Sequence, residues 1–191
     1  MAGYSGEKVS EKPGIRPGFC VVEDDVPVSS ALDRDVVANC DFRDSYRVAL
    51  SRSELGMAEI FFAVFGHKPL WMKTALILRN AVARLAGLEV PTIAEIMNPE
   101  VENTYRFGDK IGPWPVFFVG ASEIIAGRDN RHMDFRLSVL KAESGGTVDV
   151  VVTTICSVHN WFGRIYLALI VPFHRAGVQM LLSRALRSGR L

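Results

Sequence analysis

At 191 residues and 49% apolar content, the chain is long enough to bury roughly 70% of its unfolded surface in one core, so a single main domain is expected. Its 22 basic and 21 acidic residues leave a net charge of +1, too little to hold a polyanion by counterion release, which argues against nucleic acid as a partner. Cys20, Cys40 and Cys156 stand far apart without CxxC spacing, a pattern that suits reduced thiols and a cytoplasmic setting better than a disulfide framework or a zinc knuckle.

Residues 1–27 carry scattered charge, Gly3, Gly6, Pro13, Gly14, Pro17 and Gly18 without a sustained apolar period, and read as a flexible leader; residues 28–191 form the domain. Ser29 or Ser30 is placed to cap a short helix through Val37. From Asp41 to Leu50 the alternation of Phe42, Tyr46, Val48 and Leu50 against polar neighbours predicts a first strand. Ser51 and Glu54 have capping-box spacing before an apolar stretch, predicting a helix over Glu54 to Phe65 that ends at Gly66 in a left-handed turn. That helix is apolar around most of its circumference and needs cover on two sides. Pro69 opens a second helix whose Trp71, Ala75, Leu78, Val82 and Leu85 mark an inner face and Lys73, Asn80 and Arg84 an outer one, closed by Gly87.

Between Leu88 and Trp114, prolines and glycines interrupt every period, leaving room for one strand near Asn103 to Phe107. Four β segments follow: Val116 to Val119, Glu123 to Ala126, His132 to Ala142 and Thr147 to Val158, joined by turns such as Ser144-Gly145-Gly146. The last segment, Asn160 to Arg187, predicts a helix roughly 42 Å long, enough to cross a sheet of six or seven strands roughly 30 Å wide. Its longest clean apolar run, Ile165 to Phe173, falls short of the ~20 residues that span a bilayer, so membrane insertion is not expected. Pro172 is expected to kink it, and Gly163 and Gly177 to permit close backbone approach. The element order predicts an α+β fold with helices on one sheet face.

Strand parity predicts that His132, Asp134 and Arg136 project together, with His159 of the next strand brought to them by pairing across the Ser144-Gly145-Gly146 turn and Tyr166 facing them from the last helix; such a set can transfer a proton or orient a ligand. These five are the candidate catalytic residues, with the imidazoles and the aspartate of the sheet as expected partners of the Tyr166 hydroxyl. His132, His159, His174 and Asp134 are acceptable metal-ligand types, but their spacing matches no zinc signature, so neither a metal nor any other cofactor is expected. No GxSxG, HExxH, GxGxxG or Walker loop is present.

Several stretches point to a family. His132-Met133-Asp134-Phe135-Arg136-Leu137-Ser138-Val139, then His159-Asn160, Gly163-Arg164, Tyr166 and Pro172-Phe173-His174-Arg175 resemble a bacterial domain-of-unknown-function family with an H-L-D-F-R-x-S-V strand and an H-N-x-x-G-R-x-Y-x-x-x-I-x-P-F-H helix. Asp41 to Tyr46, Trp71 with Leu78-Arg79-Asn80, and Gly108 to Gly112 extend the similarity over roughly Val28 to Leu186, with Met133 in place of the usual leucine. The resemblance implies a START-like helix-grip (SRPBCC) fold, a curved antiparallel sheet around a long C-terminal helix with an apolar cavity between them, similar to lipid carriers and aromatase/cyclases. It implies no reaction. The leading functional expectation is therefore a small hydrophobic ligand held by Trp71, Phe162, Tyr166, Leu169, Phe173 and His174. Two alternatives stand beside it: an enzyme doing cyclase-, isomerase- or hydrolase-like proton-transfer chemistry with His132, Asp134, His159 and Tyr166, and an interaction module that forms a homodimer through the aromatic face of the first long helix, around Phe61 and Phe65.

Overall fold

A computed structural model describes residues 20–85, 90, 92–97, 102, 104–144 and 146–191. Among the described residues there are seven strands: β1 (Val22–Glu23), β2 (Phe42–Ala49), β3 (Lys110–Ile111), β4 (Trp114–Val119), β5 (Glu123–Asp129), β6 (Met133–Ser144) and β7 (Thr147–Val158), with period-two alternation clearest in β2 and β6. They form one curved antiparallel sheet in the order β1-β2-β7-β6-β5-β4-β3. The helices are α1 (Arg34–Asn39), α2 (Met57–Phe65), α3 (Leu70–Leu85), α4 (Ile93–Met97) and α5 (Trp161–Arg187), giving the expected α+β class.

Register decides which side chains meet. Asp44 lies opposite Thr154, Thr154 opposite Leu137, and Leu137 opposite Ala126. Phe42, Asp44, Tyr46 and Val48 therefore share one face with Val150, Val152, Thr154 and Cys156 of β7 and with Met133, Phe135, Leu137 and Val139 of β6. On this inner face Tyr46, Val48, Val139, Val150 and Val152 pack against Ile60 and Val64 of α2 and Leu182 and Ala185 of α5, all buried. Each large aliphatic side chain so buried contributes about 1.5–3 kcal/mol. The outer face is partly covered by the segment around α1, where Leu32 and Val37 meet Ile125, Ile155 and Phe117.

Several ends differ from their sequence readings, each for a local reason. Asp33, not Ser29 or Ser30, caps α1, its Oδ1 accepting from Asp35 N at 2.9 Å and Val36 N at 3.0 Å. The Ser30 hydroxyl instead donates to buried Glu123, which also accepts from Ala31 N at 2.6 Å and from Ser138. Helix α2 begins three residues later than predicted because Gly56 N–H donates to Glu59 Oε2 at 2.8 Å, while Glu54 accepts from Arg52. Gly66 ends α2 with right-handed φ −74°, not a left-handed turn. Glycine is needed there because a Cβ would lie 2.2 Å from the Phe62 ring.

Residues 104–107 form no strand. The strand follows later, as β3, past the positive-φ turn at Gly108. Helix α4 was not anticipated, although Thr92 and Glu95 cap it reciprocally, at 2.7 Å and 3.2 Å. β1 lies inside the stretch read as leader; residues 1–19 and Gly87 lie outside the described residues.

Helix α5 runs 27 residues, about 40 Å, and continues unbroken through Pro172. By length and composition alone it meets the criterion for a membrane span. In the fold its C-terminal half is core: Val178, Leu181, Leu182, Ala185 and Leu186 are buried against α2 and the sheet.

Candidate functional site

Two constellations stand out, one that aims α5 and one that lies beneath it. The first is the junction between β6, β7 and α5. Asn160 caps α5, its Oδ1 accepting from Gly163 N at 3.1 Å, while its Nδ2 donates to Arg131 O at 2.8 Å. The same oxygen lies 3.2 Å from His132 Nδ1, which places the proton on that ring nitrogen. His159 N donates to His132 O at 2.9 Å, and Asp41 accepts from Val158 N at 2.7 Å. Gly163 is required here, since a Cβ on it would sit 2.3 Å from the His132 carbonyl oxygen. Gly177 is not so constrained, with only Met72 Cε in ordinary contact at 3.7 Å.

This junction separates the five catalytic candidates. His132 precedes β6 in a turn held by Asn130, whose Oδ1 accepts from the backbone N–H of His132 and Met133, so strand parity does not govern it. Its ring packs on Phe162 at 4.7 Å, on the inner side. Asp134 and Arg136 project from the opposite face. Asp134 pairs with His159 at 3.0 Å, both half-exposed, and Arg136 pairs with Asp129 and lies over the Phe117 ring at 3.7 Å. Tyr166 takes neither the histidines nor the aspartate as a partner. Its hydroxyl accepts from Arg79 of α3, at 2.7 Å from Nε, and the pair ties α3 to α5. Among the described residues no three metal-ligand side chains come together.

The second constellation is a cavity of about 820 Å³ enclosed by the inner sheet face, α2, α3 and the N-terminal half of α5. Phe61, Phe65, Trp114, Phe135, Leu137 and Leu167 form apolar walls. Trp71, Leu78, Leu169 and Phe173 line it yet are more than 60% exposed, so the cavity opens between α3 and α5. Trp71, Phe162, Tyr166, Leu169, Phe173 and His174 all lie on its wall, together with His132. Asn80, expected on the outside of α3, is buried and lines the cavity. The aromatic excess of α2 is used within the chain, with Phe61 and Phe65 each edge-on to Trp114, at 6.1 Å and 5.9 Å.

Polar groups are few and unevenly placed. Lys68 lines the cavity beside Trp114, its ammonium 5.7 Å from the ring and donating to Phe65 O; burial pushes the amine down to about 8. Burial likewise pushes the Cys156 thiol up to about 12, with Asp44 and Asp41 adding to the effect, so it stays protonated and a poor nucleophile. At the floor, His174 Nε2 lies 3.4 Å from Asp44 Oδ1, and the imidazole sits edge-on to Phe42 at 5.8 Å. Asp44 Oδ2 and Thr154 Oγ1 are buried without a hydrogen-bond partner among the described residues. The nearby Tyr46 phenol is pushed up by burial, with Gln179 of α5 opposing and Asp44 adding to the shift.

Asp44 and Lys68 were missed in the sequence. The signal for Asp44 was present, since it occupies the parity of Phe42, Tyr46 and Val48, a charge in an apolar register. Lys68 offered no comparable pattern.

No curated protein and no solved structure matches the chain. Residues 36–180 match the family described as "Protein of unknown function (DUF2867)", three quarters of the chain and most of the sheet, the cavity and α5. The chain belongs to that family.

Proposed function

We propose that this chain is a START-like helix-grip domain that binds one small hydrophobic molecule in the cavity between the sheet and α5. The observation that carries the reading is the cavity itself: about 820 Å³, walled chiefly by aromatic and aliphatic side chains and open between α3 and α5. That volume falls within the ~300–1,000 Å³ of ligand sites, and apolar walls with few polar groups are their usual chemistry. The order of elements, with a long last helix laid across an antiparallel sheet, supports the helix-grip assignment. The dispersal of His132, Asp134, Arg136, His159 and Tyr166 over two faces favours binding over a proton-transfer site built from them. The protein acts in the cytoplasm, with the small hydrophobic molecule as its partner.

Native mass spectrometry of delipidated protein, offered fatty acids, isoprenoid alcohols and aromatic polyketides separately, tests it. A one-to-one adduct is expected, lost in a Leu137→Trp variant that fills the cavity while remaining folded by circular dichroism. Absence of any adduct, or equal binding by the filled variant, rules the reading out.

A further inference from the structure

We propose that Asp44, Thr154 and His174 form a subsite at the floor of the cavity that takes the hydroxyl group of an apolar alcohol or phenol. The inference rests on the binding reading above and adds the chemistry of the bound molecule.

Three elements converge on this spot. Asp44 of β2 and Thr154 of β7 are directly opposed across the strand pair, and His174 reaches down from α5. Thr154 and His174 line the cavity; Asp44 lies beside them with its side chain 1% exposed. Cross-strand neighbours of this kind have Cβ atoms about 4.5–5.5 Å apart, close enough for one small group to touch both.

Folded chains almost never leave buried polar atoms without partners, because each costs its full desolvation. Here Asp44 Oδ2 and Thr154 Oγ1 are both in that position, at neighbouring sites, although Thr154 faces Asp44 across the ladder. A trio serving only the fold would close on itself. The nearby Ser45 and Thr153, also opposed across β2 and β7 but on the outer face, do so at 3.0 Å.

The unmet groups specify their partner. A carboxylate oxygen accepts only, while a threonine hydroxyl donates and accepts, so the matching group must donate to one and engage the other. A hydroxyl does both. A ligand carboxylate would face Asp44, like charge to like. An ammonium would enter a cavity whose wall carries Lys68, Arg79 and Arg128 against a single carboxylate among the described lining residues, Glu95, itself 3.6 Å from Lys110. A neutral hydroxyl on an apolar body is the group that fits both the floor and the walls.

The test is a matched pair: 4-nonylphenol and its methyl ether, titrated into delipidated protein with binding followed by the fluorescence of Trp71 and Trp114, the tryptophans lining the cavity. The phenol is expected to bind the native protein about ten- to a hundredfold more tightly, the margin for a hydrogen bond to a charged acceptor. Thr154→Val, of nearly equal volume, should reduce that preference severalfold, and Asp44→Asn, which removes the charged acceptor, should reduce it further. Thr154→Val should also raise the urea midpoint, because it removes an unsatisfied hydroxyl, whereas a structural hydroxyl would lower it. If both compounds bind native protein equally and Leu137→Trp excludes both, the subsite is overturned and the cavity reading stands. If neither binds, both fall.

Discussion

The two halves of α5 share one helix and one sheet but live in different surroundings. From Val178 to Leu186 the helix is clamped between α2 and the inner face, with Leu182 and Ala185 fully buried. From Trp161 to Phe173 it borders the cavity: Leu167 is buried on Met133 and Cys156, while Trp161, Ile165, Leu169 and Phe173 are between 53% and 78% exposed. The first half is positioned by its end, through Asn160, Gly163 and the His132 turn, by the Tyr166–Arg79 link and by Leu167 on Met133 and Cys156; the second half is positioned by packing along its length. A stretch that is apolar in sequence thus serves in one place as core and in another as the wall of a cavity.

The two halves should differ most at Leu182. Leu182→Ala should cost about 3–4 kcal/mol in urea unfolding, while Leu169→Ala should cost under about 1 kcal/mol. Similar losses would mean that the two halves are packed alike. Gly163→Ala should cost about 2–3 kcal/mol, because the added methyl meets a carbonyl oxygen of the junction; an Ala at Gly177, with open surroundings, should be neutral or slightly stabilising.

Lys68 sharpens the contrast on the cavity side. Its amine titrates near 8 folded and at 10.5 unfolded, so the unfolded chain holds the extra proton between those values. Stability should therefore rise with pH from about 8 to 10.5, by about 1–3 kcal/mol, and be independent of this amine below 8, where both states are protonated. Lys68→Met should be more stable than the native chain at pH 7 and lose that rise; unchanged pH profiles would place the amine in water. The smallest effect belongs to Asp134→Ala. Its pair with His159 is half-exposed, so the loss should be under about 1 kcal/mol by urea unfolding, and a value near 3 would show a buried network there.

Strands β2 and β6 were legible because period-two alternation survives where one face is more deeply buried, and β5 and β7, buried on both faces, from their β-branched runs between turn residues. The short pieces β3 and α4 were not, since two to five residues between glycines and prolines carry no period. Helix α3 shows a different limit. Its Trp71 and Leu78 repeat at helical spacing as a core face would, yet they border an opening, and Asn80 is the buried one. Periodicity identifies a face without saying whether that face meets atoms or space. His132 was misplaced because the side chain of Asn130 ended the strand before it, and Tyr166 because its partner comes from α3, a contact that local spacing does not encode.

Pro172 lies in the exposed half of α5 and has no N–H to give, so the carbonyl of Ala168, one turn earlier, lacks its helical donor. Both residues are at the surface, where water can hydrate that oxygen, and the helix passes the proline without a break. A proline at Leu182 would strand the equivalent carbonyl in a dry interior, so the tolerance for imino acids along this helix should follow its wetting.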